Sequence, residues 1–314
     1  LAEKVRRKSF NLDERELAPY FSLDRMIETA FATANRLFGV TLIPRADIPV
    51  PHPDVRVWEV QDRDNTPIGL FYGDYFSRPG KRGGAWMDAF AMQHKLAGGC
   101  LPLVSNSCNF SRPAEGQSAL LTLEEARTIF HEFGHALHAL LSNVTYPSLS
   151  GTYVLRDWVE LPSQLFEHWV QTPKILNRYA RHVETGEPLP AEMIQRLQES
   201  ATFNEGYATL SILASTLVDL ALYLYPDPAT LDPQAFERDV MARYDLPAGI
   251  VPRHRLPHFQ HSISFGYCAQ YYSYTWSAVL DCDTFRAFEE TGNVFDPDTA
   301  CRLHREVYAA GNTR

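Results

Sequence analysis

The chain has 314 residues, 45% of them hydrophobic and 21% charged, a globular balance with enough length for a substantial buried core. Its 29 Lys and Arg set against 38 Asp and Glu leave a formal charge of −9. That acidity argues against a nucleic-acid surface, because phosphate binding needs clustered basic residues; no apolar run is long enough to span a bilayer either.

Taken in chain order, the one basic cluster, Lys4-Val5-Arg6-Arg7-Lys8, reads as a solvated helix end. Residues 13–38 carry apolar side chains at helical spacing, with a break near Pro19. After PHPD the period changes. VRVWEV (55–60) and IGLFYGDYF (68–76) are strand-like runs joined by the turn-rich DRDNTP, which predicts a hairpin. SRPGKRGGAW (77–86) reads as a loop and CLPLVSNSCNF (100–110) as a further short strand. From Leu121 onward the pattern is helical, broken at YPSLSGT, TGEPLP, PDPATLDP and within 246–257. The expected fold is mainly α, with a small β patch inside about 50–112 and a helical body over 121–314.

Five cysteines (Cys100, Cys108, Cys268, Cys282 and Cys301) form an odd, scattered set without a CxxC pair. This pattern suggests neither a disulfide framework nor a cysteine zinc site, favours a reducing, cytoplasmic setting, and leaves buried spectators as the default reading. The start shows no signal-peptide pattern. The chain opens on Leu1 rather than Met and stops at Arg314 directly after the helix-like DTACRLHREVYAA, so it is expected to be a piece of something longer.

HEFGHALH (131–138) carries the chemistry. Thr122 and Glu125 form a capping-box pattern, so a helix is predicted to start there and run through it. His131 and His135, four residues apart, project from one face of that helix. Two neutral imidazoles at that spacing can grip one metal ion, with zinc the usual occupant. Glu132 points about 100° away, off the ion but within reach of a water beside it. A carboxylate there can take the water's proton and hand it to a leaving amine. His138 lies about 10 Å along the axis from His131, too far to join both others at bonding distances of about 2 Å. It reads as packing or as a group behind the ligands. The extended HExxHxxGxxH pattern is excluded, since positions 138 and 141 are His and Leu.

A catalytic zinc needs a third protein ligand. Between Ala136 and Phe166 the only carboxylates are Asp157 and Glu160, both in RDWVELPSQLFEHW (156–169). Three residues apart, one can reach the metal while the other orients a ligand histidine from behind, and spacing does not choose between them. Pro162 fits the first turn of this helix or a kink.

Further on, HFQHSISFGYCAQYYSYTW (258–276) sets Tyr267, Tyr271 and Tyr274 at i, i+4 and i+7, one phenolic stripe. Tyr272 and Trp276 share another face. An aromatic core stripe is the plain reading. Against it, buried hydroxyls need partners, and His258 and His261 precede the stripe behind the link SFG (264–266). Phenol and imidazole donors are the groups that stabilise an oxyanion.

Together these stretches resemble the thimet oligopeptidase family of zinc metallopeptidases. The matching segments are HEFGHALH, SGT (150–152), RDWVELPSQ (156–164) and HSISFGYCAQYYSY (261–274), with HPDVRVWEV, GLFYGDYF, KRGGAWMD and CNFSRP upstream. HPDVRVWEV, YPSLSGT, RDWVELPSQLFEHW and RYARH lean towards its bacterial peptidyl-dipeptidase branch. The resemblance covers essentially the whole chain. It implies a zincin-like catalytic region, one zinc ion bound by His131, His135 and Glu160, and Glu132 as general base. It leaves Asp157 to orient a ligand. It further implies that His261, Tyr267 and Tyr274 contact substrate and stabilise the transition state, and that Tyr271 and the SGT segment (Gly151, Thr152) bind substrate. The implied activity is release of C-terminal dipeptides from short peptides. An endo-acting oligopeptidase of the oligopeptidase A type is the alternative, and a non-catalytic helical peptide-binding fragment the alternative from another class. Family members are longer, with an N-terminal helical region walling a deep channel, so this piece is expected to lack part of its substrate site.

Overall fold

The computed structural model describes residues 2–247, 249–264 and 266–313; Phe265 of the SFG link and both terminal residues lie outside them. The fold is mainly α with one small mixed sheet, as the periodicities predict. Before the sheet come α1 (Ala2–Phe10), α2 (Glu14–Leu17) and α3 (Leu23–Phe38), with the expected break at Pro19. The basic residues of α1 are mostly exposed.

The sheet has the order β1-β2-β3-β5-β4, built from β1 (Thr41–Pro44), β2 (Arg56–Gln61), β3 (Pro67–Phe76), β4 (Trp86–Ala91) and β5 (Leu103–Phe110). β2 and β3 form the predicted antiparallel hairpin, with Trp58 opposite Phe71, while β3 and β5 run parallel. Two strands differ from the sequence expectation. β1 begins before residue 50, outside the anticipated patch, and β4 takes over the end of the stretch read as a loop. Both are edge strands whose side chains are largely exposed or half-buried, so neither shows the apolar alternation that marks a covered strand.

The remaining α-helices are α4 (Leu123–Leu140), α5 (Arg156–Val159), α6 (Leu161–Val170), α7 (Pro173–Tyr179), α8 (Ala191–Glu199), α9 (Glu205–Leu222), α10 (Pro233–Arg243), α11 (Gln260–Ile263), α12 (Ser273–Glu290) and α13 (Pro297–Leu303). No helix among the described residues is long and apolar enough to cross a membrane. The cysteines are unpaired, but only Cys108 is buried; Cys268, Cys282 and Cys301 are exposed, a correction to the reading of all five as buried spectators. The last two face water from helix surfaces, and Cys268 does so from a turn.

Helix α4 is the centre of the core. Thr122 and Glu125 form the predicted capping box at its start. Phe130, Phe133, Ala136 and Leu137 are at most 1% exposed. Phe133, inside HEFGH, packs its ring 5.2 Å from both Phe31 of α3 and Phe71 of β3, which locks the helix to the sheet. One turn earlier Phe130 stacks on Phe166 of α6 at 5.3 Å, and Phe133 meets the same ring at 6.0 Å. The two helices touch at Gly134, where a Cβ would stand 2.6 Å from the Pro162 carbonyl oxygen and 2.7 Å from Ser163 Cα. Backbone cannot yield to a methyl at that distance without moving α6. Gly134→Ala is therefore expected to destabilise the protein by about 1–3 kcal/mol, read from denaturant unfolding, with unchanged secondary structure by circular dichroism.

Candidate active site

Two histidines one turn apart on α4 and a glutamate from a distant segment converge at the α4–α6 crossing. His131 and His135 leave α4 on the face away from Phe133, with 21% and 12% of their side-chain surface accessible. Glu160 joins them because the chain breaks there. Pro162 sits in the first turn of α6, where its missing N–H costs nothing. Its ring disfavours a continuous helix from α5, so Glu160 becomes the junction between the two segments. Ser163 fixes it by donating to its backbone oxygen at 2.9 Å and to Oε2 at 3.1 Å.

Nε2 of His131 and Nε2 of His135 each lie 3.2 Å from the same Glu160 oxygen, Oε2. His131 Nδ1 lies 2.7 Å from Glu167 Oε1, and Arg127 donates to the other Glu167 oxygen at 2.8 Å and 3.1 Å. An imidazole between two carboxylates must carry a proton on each nitrogen, unless a cation replaces one of them. Ligand atoms of His131, His135 and Glu160 all fall within 4.8 Å of one another, a set that can hold a metal ion. One carboxylate and two imidazoles are a zinc donor set. The residues fit the ion.

Electrostatics follow from burial. Desolvation alone would raise Glu160, but the adjoining His135 and the bonds from His131 and His135 hold it well below the usual carboxylate range. Burial alone would lower His131; hydrogen bonds to Glu160 and Glu167 reverse this and raise it. Glu132 is 5% exposed, its Oε2 has no hydrogen-bond partner among the described residues, and burial raises its pKa despite the two histidines. A buried, unpaired carboxylate oxygen beside a cation-binding set is arranged to accept a proton.

His138 is fully buried with neither ring nitrogen bonded, and its ring meets Tyr308 at 6.1 Å, so it packs. Burial and the nearby His135 push it down to about 3. Asp157 does not take the orienting position expected of it. Its carboxylate accepts from the Tyr272 hydroxyl at 3.1 Å, and Glu167, two turns into α6, stands behind His131 instead. The correction has a geometric cause: Asp157 precedes the break at Glu160, whereas Glu167 follows it on the helix packed against α4.

The aromatic wall forms, but not as a helical stripe. Ala269 adopts φ 55°, and the backbone N–H groups of Ala269 and Tyr271 donate to Asp219 of α9 at 3.1 Å and 3.0 Å. α12 therefore starts only at Ser273. The rings still meet. Tyr267 stacks on Tyr274 at 5.4 Å, and His261 lies 5.8–6.1 Å from Tyr267, Tyr271 and Tyr274. The Tyr267 hydroxyl donates to Glu160 Oε1 at 2.5 Å. His258 is exposed and outside this cluster; His254 takes its place, 5.1 Å from His261. Tyr271 is only 4% exposed, so its ring backs the wall more than it offers surface. Gly151 is buried, with φ 53° and a Cβ position 2.8 Å from Ala139 Cα; it lets the SGT segment lie on α4, and Thr152 beside it stays half-exposed.

Sequence reasoning missed Glu167, Asp219 and His254. Glu167 lies within the quoted RDWVELPSQLFEHW, and its i, i+7 offset from Glu160 was a usable signal. Asp219 and His254 carried none.

The sequence description of peptidase family M3 matches residues 1–314. The chain is 43% identical to a dipeptidyl carboxypeptidase of Salmonella typhimurium over 316 residues, 99% of this chain and 46% of that protein. It is 38% identical to oligopeptidase A of Escherichia coli over 319 residues, again 99% and 46%. An organellar oligopeptidase A of Arabidopsis thaliana is 38% identical over 305 residues, 93% of this chain and 38% of the relative. The chain thus spans less than half the length of these relatives. Removing the carboxylate behind His131 should loosen any ion held here: Glu167→Gln is expected to weaken zinc affinity by about 10–100-fold, measured by chelator competition.

Proposed function

The chain belongs to peptidase family M3, and on that premise we propose that its site hydrolyses peptide bonds in short peptides and releases C-terminal dipeptides. The observation that carries this reading is the meeting of both HEFGH imidazoles at one oxygen of Glu160. His131, His135 and Glu160 would hold one zinc ion, which when bound would act as a Lewis acid on the scissile carbonyl and on water. Glu132 accepts the proton of the attacking water on its unpartnered buried oxygen, then donates it to the leaving amine. Glu167 keeps His131 in the orientation that presents Nε2. Tyr274 and His261 stand beside the site as O–H and N–H donors for the developing oxyanion, and Tyr267, whose hydroxyl donates to Glu160 Oε1, would join them on turning from that carboxylate. The half-exposed Thr152 faces the approach, Tyr271 supports the wall from behind, and Gly151 sets the SGT backbone against α4. Its unpaired cysteines support a reducing, cytoplasmic setting.

The dipeptidyl carboxypeptidase match at 43% favours cutting two residues from the end; the 38% match to oligopeptidase A favours internal cleavage as the second reading. Product masses separate them: a free-carboxylate peptide should be cut much faster than its C-terminal amide if dipeptides are released. Glu132→Gln is expected to keep its zinc by metal analysis and lose about 10²–10⁴-fold in turnover; full turnover would end the general-base role. Tyr274→Phe should lower turnover while leaving zinc content unchanged. If the folded protein carries no zinc and His131→Ala leaves zinc affinity and activity unmoved, a non-catalytic peptide-binding piece is the better reading.

A further inference from the structure

We propose that Arg156 receives the free carboxylate at the peptide's C-terminus and thereby sets the cut two residues from the chain end; this rests on the peptidase reading above. The Arg156 guanidinium lies over the face of Tyr267, 4.6 Å from the ring centroid. The hydroxyl of the same ring donates to Glu160 Oε1. One phenol therefore separates a permanent positive charge from the carboxylate that meets the His131/His135 pair. Arg156 opens α5, four residues before Glu160, and its Nη2 stands 3.5 Å from where a Cβ on Gly266 would lie. The charge is held in the corner between α5 and the turn that carries Tyr267.

Its freedom is the second observation. Several other cations are neutralised at close range, Arg127 by Glu124 and Glu167, Arg78 and Lys81 by Asp74 and Arg255 by Glu237, whereas Arg36, like Arg156, rests on an aromatic face, that of Phe295. Among the described residues no carboxylate lies within 4.0 Å of the half-buried Arg156 side chain. A guanidinium so placed has its planar fork available for a carboxylate, which it binds through two parallel N–H donors. The reach also fits. Two extended residues span about 7 Å, and the Tyr267 ring beneath Arg156 carries its hydroxyl to Glu160 Oε1, so the cation and the site carboxylate flank a single aromatic ring. Fixing the chain end in this way turns a general peptide-cutting site into one that counts from the terminus.

The test measures binding as well as turnover on the purified 314-residue chain. A dipeptide and its C-terminal amide are titrated by calorimetry or NMR, alongside hydrolysis of a tetrapeptide acid and its amide. The unsubstituted protein is expected to bind the acid roughly ten- to hundred-fold tighter than the amide, the value of a charge-assisted bond at a partly wet site. Arg156→Met, which keeps an apolar side chain over the ring, should bring acid and amide to near parity. Arg156→Lys keeps the charge without the fork and should fall between. An acid preference that survives Arg156→Met, or its absence from the unsubstituted protein, overturns the assignment. If dipeptide acid binds through Arg156 and nothing is cut, the anchor stands and the peptidase reading falls; if peptides are cut and Arg156→Met keeps the preference, the anchor falls and the peptidase reading stands.

Discussion

Two imidazoles converge on one carboxylate oxygen, and the surrounding structure is what brings them together. The Nε2 atoms of His131 and His135 are each 3.2 Å from Glu160 Oε2. The pair on α4 follows from helical spacing, but the third partner arrives from another helix and needs a close crossing. Gly134 supplies it: with no side chain there, Pro162 and Ser163 approach the α4 backbone closely enough for Glu160 to reach across. Pro162 also ends the preceding helical segment, so that Glu160 sits at a junction with its own backbone oxygen accepting from Ser163 and Gln164. Packing and chemistry share these few residues.

Charge in the site is arranged in layers. Outermost, Arg127 is bound by Glu167, which in turn holds His131. Burying ionised groups is costly unless each has a partner, and this chain of alternating sign meets that requirement. Glu132 stands apart from it, buried and with one oxygen unbonded among the described residues. An unpaired carboxylate oxygen in a covered site is destabilising for the fold and poised for proton transfer, the combination expected where structure has been subordinated to chemistry.

The aromatic wall is held from behind by a carboxylate with no role in contact with the metal set. Asp219 is fully buried and accepts from the Ser262 hydroxyl and from the backbone N–H groups of Ala269 and Tyr271. These bonds tie both ends of the turn that presents Tyr267, and Gln164 of α6 adds a bond to the Tyr274 carbonyl oxygen. Ser277 and His168 fasten α12 to α5 and α6 through Asp157 and Asp281. Helices separated by about a hundred residues of chain thereby act as one platform for a small number of polar side chains.

Local rules were enough to determine from the sequence that a capped helix carries His131, Glu132 and His135 on neighbouring faces, that VRVWEV and IGLFYGDYF pair, and that the fold is mainly α. Each depends on a period or a cap that a short stretch contains in full. The resemblance pointed to Glu160 over Asp157, and the fold agrees in placing Glu160 against the histidines. Only the tertiary structure decided that Glu167 rather than Asp157 stands behind His131, that the tyrosines converge from a turn rather than along a helix, and that Asp219 and His254 belong to the same wall. Those outcomes rest on where helices cross and on which buried acceptor captures a loop's N–H groups, contacts between segments far apart in the chain that no local period encodes.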